Sequence, residues 1–266
     1  ILLMIVAIIA VIAVNMSGRL QLQLQRQQTL QQQQQAFWYA IGAESFAKVL
    51  LRRSLDGQDV VHLNQDWATA GASFMVENGQ IAGEIKDLNS CFNLNALQRQ
   101  PDRSQGGQIQ QTAAQRSFQR LLEQAVPELS MPAEYLTARL SDWLDEDSVL
   151  NSAGGAEQDD YAALAFPYYT ANSLMVSETE LRLLLDLTPA DYQLLQPYIC
   201  VIPEVDTLQL NVNTLSEEQS VLLMALIPEL TESQANDAIL NRPEEGYSDI
   251  ESFLQEALSG VTVPDD

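Results

Sequence analysis

The amino-acid sequence predicts an α+β protein, in which a long N-terminal α-helix precedes a small antiparallel sheet and a large set of short helices. Three observations lead to this prediction. The first residues are apolar and then glutamine-rich without helix breakers, a hairpin signal occurs near residue 78, and helix-capping patterns recur beyond residue 167.

The chain opens on an apolar segment, residues 1–14, that carries no polar side chain. As a helix it would rise about 21 Å, which is short of the roughly 30 Å hydrocarbon core of a bilayer. Three accounts compete: the apolar part of a signal peptide, a buried core helix, or a membrane-spanning helix that lacks its front. No initiator Met or basic flank precedes Ile1, and no small-residue cleavage site follows Val14, so the third account is favoured.

The same helix is predicted to continue through a glutamine tract. Ten of the fifteen residues from Gln21 to Gln35 are Gln, a good helix former, and the tract contains no Gly or Pro. Asp56-Gly57 is predicted to end the helix near Leu55. The apolar residues expected on one face of its last part are Tyr39, Ala43, Phe46 and Leu50.

A β-hairpin is predicted between residues 72 and 86, with Asn78-Gly79 as a type I′ turn. Its side chains expected to be buried are Phe74, Val76, Ile81 and Ile85.

Beyond Pro101 the apolar period becomes helical, with helices expected at residues 114–125 and 135–144 and a loop at residues 145–167. Short extended pieces are expected at residues 199–203 and 208–213. Helix starts are predicted at four capping-box pairs and at one proline: Ser177 with Glu180, Ser216 with Gln219, Thr231 with Gln234, Ser248 with Glu251, and Thr188-Pro189.

The charge is strongly uneven along the chain. Thirteen basic and thirty-six acidic residues give a formal net charge of −23. Residues 1–126 hold ten Lys/Arg and nine Asp/Glu, a net of +1, whereas residues 127–266 hold three Arg and twenty-seven Asp/Glu, a net of −24. Such a surplus repels phosphate backbones, which makes nucleic acid a poor partner, but it suits calcium, which prefers carboxylate oxygens.

Neither the two cysteines nor the single histidine indicates a catalytic site. Cys91 and Cys200 fit either one disulfide in an oxidising compartment or two buried thiols. His62 has no neighbouring nucleophile motif, and the sequence contains no GxSxG or glycine-rich phosphate loop. The sequence therefore predicts a protein that is not an enzyme.

The acidic loop is the sharper signal. One group of carboxylates lies at residues 142–147 and another at 157–160, with the flexible Gly154-Gly155 between them. The loop could fold back so that both groups surround one calcium ion, which needs six to eight oxygen ligands. A solvated acidic loop explains the composition equally well.

Helix pairs around Pro228 and Gly246 look like helix-hairpin-helix modules, many of which bind DNA. Here Pro228 removes a backbone amide and Glu229 adds a repelling charge. The module is therefore expected as architecture, without DNA binding.

Several ordered motifs, taken together, resemble one family. They are the apolar N-terminal helix, residues 79–95 (GQIAGEIKDLNSCFNLN), 142–147 (DWLDED), 155–157 (GAE), 167–172 (PYYTAN) and 210–214 (LNVNT). With them the chain resembles the general secretion pathway protein K family, the minor pseudopilins of the type II secretion system.

The resemblance implies a pilin-like fold, with a long N-terminal helix, a small antiparallel sheet and a large inserted α-helical domain. It implies a calcium site at Asp145, Asp147, Glu157 and Asp160, with Asp142 and Asp159 as further candidates. It also implies a disulfide between Cys91 and Cys200 and no catalytic or cofactor-binding residues.

The resemblance also implies a structural role at the tip of the pseudopilus, in protein export across the outer membrane. The expected partners are other minor pseudopilins and the bacterial inner membrane, which the helix would cross once with the bulk of the chain in the periplasm; secreted substrate proteins are further candidates. The alternatives are a membrane-anchored helix-hairpin-helix protein of DNA uptake and a minor pilin of a type IV pilus.

Four segments are expected from these patterns. Residues 1–18 form the transmembrane part of the first helix, 19–100 the periplasmic helix and sheet, 101–200 the inserted helical domain with its calcium loop, and 201–266 a helix-hairpin-helix-like subdomain. Further strands that would complete the pilin sheet are expected beyond the last of them.

Overall fold

A computed structural model describes residues 2–69, 71, 73–77, 79–98, 111–259 and 261 of the chain. The chain divides into two compact units. The first consists of Ile1–Gly57 and Asp66–Ile85, and the second of Gln58–Gln65 and Lys86–Asp266. The division into four segments predicted from the sequence stays a prediction.

The first unit is dominated by the helix α1, Leu2–Leu55, which is about 80 Å long. It ends where the sequence predicted, because Gly57 adopts a φ of +72° that glycine tolerates without strain. Tyr39, Ala43 and Leu50 are half-buried on one face of α1, as predicted, whereas Phe46 stays 54% exposed.

The predicted hairpin forms from β1, Ser73–Val76, and β2, Gly79–Ala82, which pair antiparallel. Val76 pairs with Gly79, so Gly79 belongs to the second strand and the predicted Asn78-Gly79 turn was placed one residue too late; Asn78 itself lies outside the described residues. Phe74 was predicted to be buried but is 51% exposed. Its ring meets Phe46 of α1 edge-on, with ring centroids 5.6 Å apart, so it is covered on one side only.

The second unit is built from short helices around one core. Its helices are α2 (Ala113–Ala125), α3 (Ala133–Leu144), α4 (Gln158–Ala162), α5 (Pro189–Leu195), α6 (Ser220–Leu226), α7 (Glu232–Leu240) and α8 (Ile250–Glu256). Two very short strands, β3 (Phe92–Asn93) and β4 (Ile199–Cys200), pair in parallel beside them. The loop predicted at residues 145–167 therefore contains a short helix, α4.

The core of this unit lies where α2 packs against α3 and α6. Phe118 and Leu121 of α2 are buried, as their helical spacing predicted. Phe92 of β3 stacks against Phe118 at a centroid distance of 5.1 Å. The core therefore connects the strand pair to the helices.

The predicted disulfide between Cys91 and Cys200 is present, with the two Cα atoms 5.7 Å apart. Each cysteine is nearly buried beside the β3–β4 pair. The bond joins positions 109 residues apart and so closes the segment that holds α2 to α5.

Most predicted helix starts are confirmed. Capping boxes occur at Ser177, Ser216 and Thr231, and Thr188 caps α5 with Pro189 in its first turn. The prediction at Ser248 was wrong by one residue. Asp249 caps α8 by accepting a hydrogen bond from the Ser252 amide at 2.7 Å, whereas the Ser248 hydroxyl bonds to the side chains of Asp249 and Ser252.

The structure thus has the predicted α+β class, with a long N-terminal helix, a small antiparallel sheet and many short helices. The helix-hairpin-helix character of the last helices stays a prediction.

Candidate metal centre

Helix α3 places two carboxylates on one face at its C-terminal end. Asp142 and Asp145 are three residues apart, and both are buried. The C-terminal end of a helix carries the negative end of the helix dipole, which disfavours carboxylates there. A cation would remove this penalty.

The loop after α3 folds back over these two carboxylates. The backbone amide of Asn151 donates to Asp142 Oδ1 at 3.0 Å, and the Asn151 side-chain amide donates to Asp145 Oδ2 at 2.6 Å. Gly155 approaches Asp142 so closely that a Cβ on it would overlap Asp142 Oδ2. A Cβ on Gly154 would lie 2.9 Å from Cγ of Tyr135. The Gly154-Gly155 pair therefore lets the loop backbone lie directly against Tyr135 and Asp142. It also lies where the sequence predicted that the loop folds back.

Glu157 enters the same site from the N-terminus of α4. Its carboxylate is buried, and one oxygen from each of Asp142, Asp145 and Glu157 lies within 4.8 Å of the other two. Oxygens bound to one calcium at about 2.4 Å can be up to about 4.8 Å apart. The three carboxylates are thus close enough to share one ion.

Several oxygens in this cluster have no well-placed hydrogen-bond donor. Asp142 Oδ2 and both carboxylate oxygens of Glu157 are buried and accept no hydrogen bond of good geometry among the described residues. The backbone amides of Ala156 and Gln158 lie near enough to oppose the rise in the pKa values of Asp142 and Glu157, but they do not prevent it. Leaving a buried charged acceptor unsatisfied costs more than 1–3 kcal/mol in typical proteins. A bound cation would satisfy all three oxygens at once, so the donor set fits a hard divalent ion.

The raised pKa values of the cluster also favour a bound cation. Burial, together with the charge of Asp145, raises the pKa of Asp142 to about 6, although hydrogen bonds from Asn151 oppose the shift. Burial and the charges of Asp142 and Asp145 raise the pKa of Glu157 to about 7. The three carboxylates therefore repel one another in the absence of a counter-ion.

The other carboxylates predicted as ligands lie around this cluster rather than in it. Asp147, Asp159 and Asp160 are exposed. Asp147 Oδ1 accepts a hydrogen bond from the Val149 amide at 2.8 Å, yet its charge is close enough to raise the pKa of Glu157. Asp160 Oδ2 accepts from the Glu157 amide at 2.9 Å, which fixes the start of α4.

Sequence reasoning ranked Asp142 below Asp147 and did not consider Asn151. The i, i+3 spacing of Asp142 and Asp145 on a helix was the available signal, since it places both side chains on one face. No pattern in the sequence indicates the role of Asn151, because it depends on how the loop folds back.

The single histidine does not belong to this site. The His62 amide donates to Gln65 Oε1 at 3.2 Å, and His62 Nδ1 is buried without a hydrogen-bond partner in the described part of the chain.

Comparison with known proteins identifies the family. Models described as type II secretion system (T2SS), protein K match residues 90–204 and 210–266, which is more than half of the chain. The chain is 39% identical to the type II secretion system protein K of Aeromonas hydrophila, over 98% of this chain and 80% of that protein. It is 40% identical to the protein of the same name from Klebsiella pneumoniae, over 96% of this chain and 77% of that protein.

A solved structure agrees with these relatives. A chain in the crystal structure of the GspK-GspI-GspJ complex from the type 2 secretion system of enterotoxigenic Escherichia coli superposes with a TM-score of 0.76 at 32% identity, covering 90% of this chain and 80% of that one. The comparisons do not favour the alternatives of a DNA-uptake protein or a type IV pilus minor pilin. The chain belongs to the type II secretion system protein K family, and it is a minor pseudopilin with a structural role in protein secretion.

Proposed function

We propose that this minor pseudopilin occupies the tip of the type II secretion pseudopilus, where it associates with other minor pseudopilins and supports export across the outer membrane. The single observation that carries the proposal is the similarity, over 90% of the chain, to a protein that was crystallised with two partners, GspI and GspJ. A role in assembly requires contacts rather than chemistry, so no catalytic residue is proposed.

The first helix supplies an anchor for this role. Among the described residues, α1 is the helix long and apolar enough to cross a membrane, and its most apolar window has a mean hydropathy of 2.1. We infer that residues 1–18 lie in the inner membrane, that the chain crosses it once, and that the rest of the chain is periplasmic. A disulfide between Cys91 and Cys200 suits that oxidising compartment.

A partner surface for assembly is available beyond the glutamine tract. Trp38, Ile41 and Val49 share a face of α1 and are 68%, 39% and 63% exposed. We call this the α1 stripe. An apolar helical stripe of this kind is typical of a surface that packs against another helix.

Co-purification tests the assembly proposal. The full chain, tagged and extracted in detergent, is expected to retain the two other minor pseudopilins, and Trp38→Glu with Ile41→Glu is expected to lose them. The matched control is Ala40→Glu, an exposed position on the far side of the same helix from Trp38. A native chain that retains neither partner, or a stripe variant that retains both, would count against the proposal.

We propose calcium as the ligand of the acidic loop. Asp142, Asp145 and Glu157 would hold the ion through their buried carboxylate oxygens, and Asp147, Asp159 and Asp160 are further candidates in the same loop. The oxygens of Asp142 and Glu157 that accept no hydrogen bond of good geometry support the proposal, since an all-oxygen donor set matches a hard cation. Bound calcium would supply charge neutralisation and would tie α3 to α4.

Titration calorimetry of the full chain tests the metal. Calcium is expected to bind with measurable heat, and Asp142→Asn is expected to abolish it because a buried ligand charge is lost. Glu134→Gln, an exposed carboxylate at the other end of the same helix, should leave the heat unchanged. Asp147→Ala is expected to weaken binding if this exposed carboxylate also reaches the ion. The absence of heat in the native chain would refute the site.

Terbium luminescence provides an independent readout. Terbium substitutes for calcium and is excited through a nearby indole, and Trp143 is adjacent to Asp142 in sequence and buried. Displacement of the signal by calcium is expected for the native chain and not for Asp142→Asn.

A further inference from the structure

The segment between α4 and the 3₁₀ helix Glu178–Leu183 is held in place although it contains neither helix nor strand. We call residues 165–176 the strap. Its first attachment is Tyr168, whose ring lies 5.4 Å from the Tyr161 ring between centroids and whose hydroxyl donates to the Leu183 carbonyl at 2.6 Å. An irregular segment is thereby fixed by a side chain rather than by a backbone ladder.

Two more attachments follow along the strap. The Asn172 amide donates to the Trp143 carbonyl at 3.1 Å, and the Asn172 side chain donates to the Asp147 carbonyl at 2.9 Å. The Met175 amide donates to Asn95 Oδ1 at 2.8 Å, and the Asn95 side chain donates back to the Met175 carbonyl at 3.0 Å. The strap is thus pinned at three places to the body of the second unit.

The pinned strap nevertheless exposes large apolar side chains. Phe166 is 88% exposed, Tyr169 71% and Val176 72%. Because Pro167 follows Phe166, the backbone of Phe166 is restricted to extended conformations. Aromatic side chains held on a fixed backbone lose little conformational entropy on binding, and aromatic residues are enriched among the anchors of protein interfaces.

The charge around the strap is mainly negative. Residues 140–181 contain nine Asp or Glu and no Lys, Arg or His, and the basic residues Arg139 and Arg182 flank this range. Glu146 in this range is exposed and is not among the proposed calcium ligands, and Glu180 accepts a hydrogen bond from the Val176 amide at the end of the strap, at 2.8 Å. An apolar surface in an acidic setting attracts cations and repels phosphate-bearing surfaces such as anionic membranes and nucleic acids.

We propose that the strap is a docking surface for a segment of another protein that combines Lys or Arg with apolar side chains. The apolar side chains would pack against Phe166 and Tyr169, and the basic groups would meet the exposed carboxylates and the aromatic faces. This surface consists of other residues than the α1 stripe, and it does not depend on the tip position.

Fluorescence anisotropy with peptide probes tests the strap. The full chain is reconstituted in nanodiscs of phosphatidylcholine, a neutral lipid, and is titrated against a labelled peptide that alternates lysine with leucine. Phe166→Ser with Tyr169→Ser is expected to weaken binding about tenfold, which is the size of effect typical of interface anchors. The charge of the protein does not change, so generic attraction between opposite charges cannot produce this loss.

Two controls make the result decisive. Leu240→Ser with Ile250→Ser removes two other exposed apolar side chains of the same unit, 62% and 75% exposed, and should bind like the native chain. A peptide that alternates lysine with glycine should bind weakly to all variants. Equal affinity of the native chain and the strap variant, or an equal loss in the control variant, would overturn the proposal. Phe166→Ser alone serves as the test if the double variant fails to fold.

Discussion

At the scale of single residues, a buried carboxylate outside the metal centre shows how strongly this acidic unit relies on hydrogen bonds. Asp191 is 2% exposed and joins the start of α5 to Ser130, in the connection between α2 and α3. Its oxygens accept from the amide and hydroxyl of Ser130, at 2.9 and 2.5 Å, and from those of Thr188, at 3.0 and 2.6 Å. Burial alone would raise the pKa of Asp191, but these four hydrogen bonds outweigh it and lower the pKa to about 2.

Asp191 is therefore expected to make stability depend on pH in acid. Its folded pKa of about 2 lies below the unfolded value of about 3.9, so its contribution is present above pH 4 and is lost as the pH falls toward 2. The difference between these two pKa values corresponds to a contribution of about 2.6 kcal/mol by linkage. Thermal denaturation of the full chain in mild detergent should show that Asp191→Asn is less stable above pH 4 and approaches the native chain near pH 2. Parallel profiles over this range would contradict the assignment.

Gly155 offers a test of the metal centre that leaves every proposed ligand in place. Gly155→Ala puts a methyl group where Asp142 Oδ2 lies, so the carboxylate must move. We expect calcium affinity to fall at least about tenfold, which is about 1.4 kcal/mol. The control is Gly83→Ala, whose added Cβ would meet no atom within 4 Å. Unchanged calcium affinity in Gly155→Ala would show that the ion does not bind at this carboxylate.

At the scale of elements, the sequence predicted those helix boundaries that neighbouring residues determine. The end of α1 at Leu55 and the start of α5 at Pro189 follow from residues within one turn of each boundary. The parallel pairing of β3 with β4 could not be predicted, because two residues in each strand give no period and the partners are more than 100 residues apart. Among the carboxylates of the loop, burial separates Asp142 from Asp147, and burial is decided by the fold rather than by the residue type.

The disulfide between Cys91 and Cys200 links the paired strands β3 and β4 covalently. It closes 109 residues, for which the chain-entropy model gives a stabilisation of about 4–5 kcal/mol. Denaturation with and without dithiothreitol is expected to show a marked fall in the melting temperature on reduction. Cys91→Ala with Cys200→Ala should lower it to a similar extent and remove the response to dithiothreitol. A melting temperature that reduction does not change would mean that packing alone holds β3 to β4.

At the scale of the whole molecule, the two units carry different functional features. The first carries the candidate membrane anchor and the α1 stripe, and the second carries all of the excess negative charge together with the candidate metal cluster and the strap. The resemblance in the sequence motifs was enough to predict the family and the fold class, because those motifs are long and ordered. The exposure of Trp38 and of Phe166 needed the structure, since an apolar residue at a helical or extended spacing is as compatible with a core as with a surface.

Site-specific photo-crosslinking in cells that express the whole secretion system tests the central claim most directly. A photoreactive phenylalanine analogue replaces Trp38, on the exposed stripe, or Ala43, on the half-buried face of the same helix. Assembly through the stripe predicts a crosslink from position 38 to another minor pseudopilin and a much weaker one from position 43. Equal yields at the two positions, or no pseudopilin adduct at position 38, would contradict it.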